Sequence, residues 1–414
     1  MRHFSTPVLC ALLLVLALGL LIGRTTAPSG DTRLAQPATG AQFDEGRLAD
    51  ILATPDQRQR GRLLLDFLDA LSPEDAPRVR AGYERLRPNL DVAAILALMD
   101  WWARFDPMAA LAFASTFGDI SDLAIATAVR RWAQWDPSSA RDKVEAFEAS
   151  RRQPKALLGL VRGWGESGDA GVWRYVERLP IGALRQQSIS ALINQLLLRE
   201  GPEATIGFVE GLPDNAPARF KLQAFRRTAA ALAMRYPERA TAFAERHSRG
   251  PFGDGLLLKV VTNWVFLDGE SAVSWSASLP VDGDQQDALR TAYGYWLQQD
   301  RERARAWLRA IGESRPALEA AWALLALDIG HKDPRAGLEL LSAVETEDLR
   351  ERTTIALGRI WLQLEPDAAQ AWLDATALSE DVVHEIRTAP QPTRRRAARR
   401  RQTNPLEAPA DTPQ

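Results

Sequence analysis

The chain has 414 residues, 46% of them hydrophobic and 25% charged, with a formal net charge of −2. That composition excludes a low-complexity or collagen-like chain, and a near-neutral total offers no whole-molecule attraction to nucleic acid. The one cysteine, Cys10, lies in an apolar run, so the remainder has no thiol for a disulfide or a thiolate metal site.

Residues 7–23 (PVLCALLLVLALGLLIG) are 17 consecutive residues without charge, preceded by Arg2 and His3 and followed by Arg24. This is near the lower limit for a spanning helix and long for a signal-peptide core. Thr25-Thr26-Ala27 is a poor cleavage site because Pro28 follows directly. Residues 1–23 are therefore predicted to be an uncleaved signal anchor, with secretion after cleavage as the alternative. Cys10 sits too early in the run, with no small-residue motif before it, for a lipoprotein. In a bacterium such a segment sends the rest of the chain into the periplasm. Residues 24–42 are rich in Thr, Ala, Pro and Gly and read as a flexible linker.

From 43 to 387 the chain reads as a repeat. Taking the residue before each second helix as anchor, copies start at Asp106, Asp136, Glu166, Gly201, Tyr236, Asp268, Asp300, Asp333 and Glu365, with a weaker one at Ser72, ten in all. Four residues before the anchor stand Trp102, Trp132, Trp264, Trp296 and Trp361. After it come Ala110, Ala140, Ala170, Ala204, Ala240, Ala272, Ala304 and Ala369, and then Phe113, Trp173, Phe208, Phe243, Trp275, Trp307 and Trp372. Nine of the 13 tryptophans thus fall on two positions of one unit.

Each unit reads as two helices. Leu289, Ala292, Tyr293 and Trp296 show the i, i+3, i+4, i+7 spacing of one helical face. Asp106-Pro107, Asp136-Pro137, Asp333-Pro334 and Glu365-Pro366 are helix-start signals: the carboxylate accepts from first-turn amides and the proline loses no needed N–H. Leu179-Pro180, Leu212-Pro213 and Leu279-Pro280 close the second helices. Ser72-Pro73 opens an N-terminal end helix, and Ser379-Glu380-Asp381 opens a last short one. No segment reads as a strand. The fold class is all-α.

A helix pair with an aromatic ending the first helix, a small residue in the second and a closing proline resembles the tetratricopeptide family of α-solenoids. Trp264, Ala272, Trp275 and Pro280 hold comparable places. The family's Leu-Gly pair is missing and four of the eight spacings are 32 or 33, so neighbouring Sel1-like or HEAT-like classes stay open. The resemblance implies a right-handed α-α superhelix whose concave groove takes a protein or peptide partner.

Nucleotide-binding glycine loops, H-E-x-x-H and C-x-x-C are missing. The chain is read as a non-enzyme, with no catalytic residue, cofactor or metal assigned. Asp328, His331 and Asp333 form its best polar cluster, but Asp333 is already a helix cap. Trp101, Trp135, Trp164 and Trp322 stand off the two repeat positions and are candidate binding anchors, or extra packing between repeats. The tail at 388–414 reads as disordered, with Arg394, Arg395, Arg396, Arg399, Arg400 and Arg401 as candidate contacts for anionic lipid or an acidic partner. With Arg387, and against Glu407 and Asp411, these give a net of +5, leaving −7 on the rest.

The expectation is a membrane-anchored scaffold holding a protein or peptide in the bacterial envelope, with no nucleic acid partner. Alternatives are an enzyme or accessory acting on envelope polymer, marked by converging carboxylates, and a cytosol-facing adaptor.

Overall fold

The computed structural model describes residues 42–147, 153–312 and 315–388. The expected anchor at 1–23, nearly all of the linker, and the Arg-rich tail beyond Thr388 lie outside the described residues. Among the described residues every regular element is helical, and no helix is long and apolar enough to cross a membrane.

Two units divide the chain between Ala128 and Val129. The first contains α1 (Glu45–Leu52), α2 (Gln57–Asp69), α3 (Ala76–Arg85), α4 (Val92–Trp102) and α5 (Pro107–Ala114). Here α1 packs on α2 and α3, α2 on α4, and α4 on α5. Leu48, Leu64, Phe67, Val79 and Tyr83 are buried between them. Ser72 opens the end helix as expected: its hydroxyl and backbone N–H both donate to Asp75. The division falls within α6 (Ser121–Ala133).

The second unit continues with α7 (Pro137–Glu145), α8 (Gln153–Ser167), α9 (Gly171–Arg178), α10 (Ala183–Glu210), α11 (Ala218–Ala233), α12 (Pro237–His247), α13 (Leu256–Trp264) and α14 (Gly269–Ser278). It ends with α15 (Gly283–Gln299), α16 (Arg301–Ile311), α17 (Glu319–Gly330), α18 (Pro334–Glu339), α19 (Glu347–Leu364), α20 (Pro366–Ala375) and α21 (Glu380–Arg387). Helices α8, α10, α11, α13, α15, α17, α19 and α21 pack each on the next, and from α11 to α19 each of these also packs on the short helix that follows it. The packing is sequential, with neighbours in the chain as neighbours in space.

A single residue turns one helix of a pair into the other. The N–H of Asp300 donates to the Trp296 carbonyl at 2.8 Å and closes α15, while its own carbonyl accepts from Ala304 at 3.0 Å and opens α16. The Asp300 carboxylate accepts from the Arg303 amide at 3.2 Å. Asp136 and Asp268 repeat all three bonds. The backbone angles recur too, at φ −140, ψ 78 for Asp300 and φ −141, ψ 76 for Asp136. Glu365 keeps the turn (φ −141, ψ 77), but its longer side chain makes no amide cap; it accepts from the Trp361 indole at 3.2 Å instead.

Across this turn an aromatic ring four residues before packs, tilted or edge-on, against one seven residues after. The centroid distances are 5.6 Å for Trp102–Phe113 in the first unit, and 6.3 Å for Trp264–Trp275, 5.8 Å for Trp296–Trp307 and 5.3 Å for Trp361–Trp372 in the second. The first ring of a pair also faces the preceding turn. A side chain at Gly269 would meet the Trp296 indole at 2.4 Å, and the Arg335 guanidinium lies 5.3 Å over the Trp361 ring. One indole therefore ties its own pair together and ties that pair to the one before it. Beside it, Ala110, Ala140, Ala240, Ala272, Ala304 and Ala369 are fully buried, so the second helix approaches closely.

One turn departs from expectation. Glu166 is not an anchor; it lies within α8, and the chain turns at Gly168, with φ +84, two residues later. Gly201, with φ +85, turns the chain inside α10 in the same way. This left-handed region suits glycine and strains other residues. With Gly168 as the turn, Trp164 falls on the repeat position and stacks on Tyr175 at 5.5 Å. Val172 and Thr205 then occupy the small-residue position, while Ala170 and Ala204 are exposed. Neither Leu179 nor Leu279 is helical, as the prolines after them require, and Ser379 caps α21.

Buried polar side chains near the starts of the longer helices join one connection to the next. Gln285, fully buried, donates to the Ser276 and Ala317 carbonyls, both at 3.0 Å. Glu319 accepts from the amides of Glu345 and Thr346 at 3.0 and 3.2 Å.

Replacing Trp296 by alanine is expected to cost about 3–5 kcal/mol in urea unfolding, because the ring serves two contacts at once. Acid is expected to weaken the turns. Hydrogen bonds from Ser271 hold the Asp268 carboxyl below its ordinary 3.8. Its stabilisation is therefore complete above that value and disappears as pH falls through the lowered one. Asp268→Asn should keep most of the cap and lose this contribution to the acid response, whereas Asp268→Ala should cost about 1 kcal/mol at neutral pH. Thermal melts between pH 7 and pH 3 read both.

Candidate partner-binding face

The residues six and two before each turn are one helical turn apart and share a face. They are Arg130 of α6 and Gln134 just beyond its end, Arg162 and Glu166 in α8, and Gln195 and Arg199 in α10. Helix α8 comes unusually close to α6: a Cβ at Gly163 would stand 2.0 Å from the Arg130 carbonyl oxygen. Glycine is the one residue that leaves this space, and the approach brings the side chains of the two helices into register.

Glu166 is the acceptor at the centre of this cluster. Arg130 grips it through Nε, 2.9 Å from both carboxylate oxygens, and through Nη2 at 2.5 Å. Gln134 donates to it at 2.6 Å and Gln195 at 3.3 Å. Gln195 also donates to the Arg162 carbonyl at 2.8 Å. One layer on, the same position holds Arg199 instead of an acid. Arg199 reaches the Gly165 carbonyl at 3.4 Å and pairs with its neighbour Glu200 at 2.9 Å.

Arg162 is left over. Its side chain has no hydrogen-bond or ion-pair partner among the described residues, and it is exposed. The surrounding chain still crowds it. Partial desolvation and then the nearby Arg130 charge pull its pKa below the ordinary arginine value, against an opposing pull from Glu166. A guanidinium remains charged under any such shift. The cluster thus holds one cation without a counter-ion.

Further along, the residue two before the turn becomes apolar and exposed. It is Met234 after α11 and Phe266 after α13, each more than half exposed, and Phe266 stacks on the partly exposed Tyr295 of α15 at 5.3 Å. One face therefore passes from arginines to apolar side chains over successive helices.

The candidate anchors named from sequence are not gathered here. Trp101, Trp164 and Trp322 are buried at 3%, 8% and 6% exposure, so they serve packing and present no ring to a partner. The Trp164 indole is also spent on Asp169, at 2.8 Å. Trp135 differs, at 52% exposure. The arginines Arg394, Arg395, Arg396, Arg399, Arg400 and Arg401 lie outside the described residues. The Asp328–His331–Asp333 cluster is engaged internally. Asp328 accepts from Arg305 at 2.6 Å, the His331 ring approaches the Leu327 carbonyl, and Asp333 caps α18. Among the described residues no group of three His, Cys, Asp or Glu side chains is placed to hold a metal ion.

No protein-family model, no curated protein and no solved structure matches the chain.

The two charged residues of α8 should respond oppositely to neutral substitution. Glu166→Ala, which strips three donors of their acceptor, is expected to cost about 1–2 kcal/mol. Arg162→Gln should stay within about 0.5 kcal/mol of the parent chain. Urea midpoints at equal slope decide.

Proposed function

We propose that this chain is a membrane-anchored helical-repeat scaffold that holds a protein or peptide partner in the bacterial cell envelope. The body is an α-solenoid of about ten helix pairs. The apolar segment at 7–23 holds it in the inner membrane as a single-pass anchor, with the body in the periplasm. Its charge-free length and the polar linker after it support that placement. The superhelix is supported by one recurring turn, one recurring aromatic pair and packing that runs from each helix to the next.

The observation that carries the binding role is the face through Arg162, Arg199, Met234 and Phe266. Neighbouring exposed apolar side chains rimmed by charge are the elements from which interfaces are made. No turnover chemistry is assigned to it. Its single central carboxylate, Glu166, is already saturated by Arg130, Gln134 and Gln195.

A photo-crosslinking amino acid placed at Phe266 in the native membrane tests this reading. A discrete adduct at 266, missing when the probe stands at the exposed Arg239 of α12, is expected. Absence of any adduct, together with turnover of a cell-wall polymer by the purified chain, would overturn the scaffold. A C-terminal alkaline phosphatase fusion should be active if the body is periplasmic.

A further inference from the structure

We infer that the face centred on Arg162 selects an acidic peptide segment, one partner carboxylate docking between Arg162 and Arg199. This rests on the scaffold reading and adds to it the partner's chemistry. The argument is one of register. In the layer formed by α6 and α8, the arginine six before the turn (Arg130) meets a carboxylate two before the next turn (Glu166) in a bidentate pair. In the layer formed by α8 and α10, the same two positions are Arg162 and Arg199. The place of the acid is taken by a second cation. Arg199 satisfies itself locally through Glu200 and the Gly165 carbonyl. Arg162 finds nothing: the next side chains in reach are Arg130, already bound, and Glu166, already saturated.

A carboxylate brought by a partner supplies the missing member of that layer. It meets a guanidinium held on a rigid helix and already partly stripped of water, so less desolvation remains to be done on binding. Carboxylate matches the planar donor fork of arginine. Several outward cations of the longer helices beyond α10 are already engaged: Arg226 is committed to Asp254, Arg227 to Gln186, and Arg359 to the Glu385 carbonyl.

The same face fixes the spacing between the peptide's acid and an apolar side chain. Packed helices stand about 8–10 Å apart, and an extended peptide advances about 3.3 Å per residue. Met234 lies one helix beyond Arg199 and Phe266 two beyond. A bound strand running along the face would therefore place an apolar side chain about three to six residues from its acid.

A phage-displayed library of random dodecapeptides, panned against the full chain in detergent micelles, tests the inference. Enrichment of Asp or Glu with an apolar residue three to six positions away is expected. Arg162→Glu should weaken the selected peptide by about tenfold or more in fluorescence anisotropy, and Arg162→Gln by less. Replacing the peptide's acid by its amide should reproduce the loss in the parent chain and cause little further loss in Arg162→Glu. Far-UV circular dichroism should stay unchanged, since Arg162 supports no internal contact. Binders without acidic preference, or binders indifferent to Arg162→Glu, overturn this inference and leave the scaffold standing. A library that yields no binder at all counts against both.

Discussion

The structure depends on what one residue does at each turn. Its N–H bonds back to the first helix and its C=O starts the second, so two orphan backbone groups are satisfied at once and the connection stays short, a single residue at Asp300 and Glu365. The angle between the helices is then set by one pair of dihedrals, repeated within a few degrees at Asp136, Asp300 and Glu365. The stacked aromatics need that geometry. With four residues on one side and seven on the other, the same offsets bring Trp296 to Trp307 and Trp264 to Trp275.

The turn also explains how stability passes along the chain. The Trp296 indole touches the ring of its own second helix and the start of the previous one, so a helix pair cannot be loosened without exposing part of its neighbour. Gln285 and Glu319 do the same on the polar side, each bonding a connection that belongs to another pair. A buried amide or carboxylate must find such partners or cost more than it contributes. Arg162 breaks this pattern, which is why it stands out. Around it Arg130, Gln134 and Gln195 all donate to Glu166, and Arg162 does not.

Much of this is legible in residue type and spacing. Aspartate before proline marks the helix starts at Asp106, Asp136 and Asp333, because cap and proline act locally and need no tertiary context. Residue type misleads where the local signal is backbone conformation. At 165–169 the chain reads Gly-Glu-Ser-Gly-Asp with no proline. The signal there is Gly168 itself, with Trp164 four residues before it and Tyr175 seven after, and an anchor placed on the acidic Glu166 passes over it. That two-residue slip makes Trp164 look like a free anchor when it is a packed member of the repeat. Trp101 and Trp322 mislead for a related reason: a helix buried on several sides hides rings that a single amphipathic face would leave outside.

The sequence by itself determined the helix pairs, most of their boundaries and the two aromatic positions, because capping, proline and side-chain periodicity act within a few residues. Only the tertiary structure decided which polar residues are spent and which are not. Glu166 is surrounded by groups 29 to 36 residues away, and Arg162 lacks a partner because of what stands at 199 rather than anything beside it. Charge compensation between layers depends on distances that exist only once the helices have packed, so no local reading of α8 could tell its two charged residues apart.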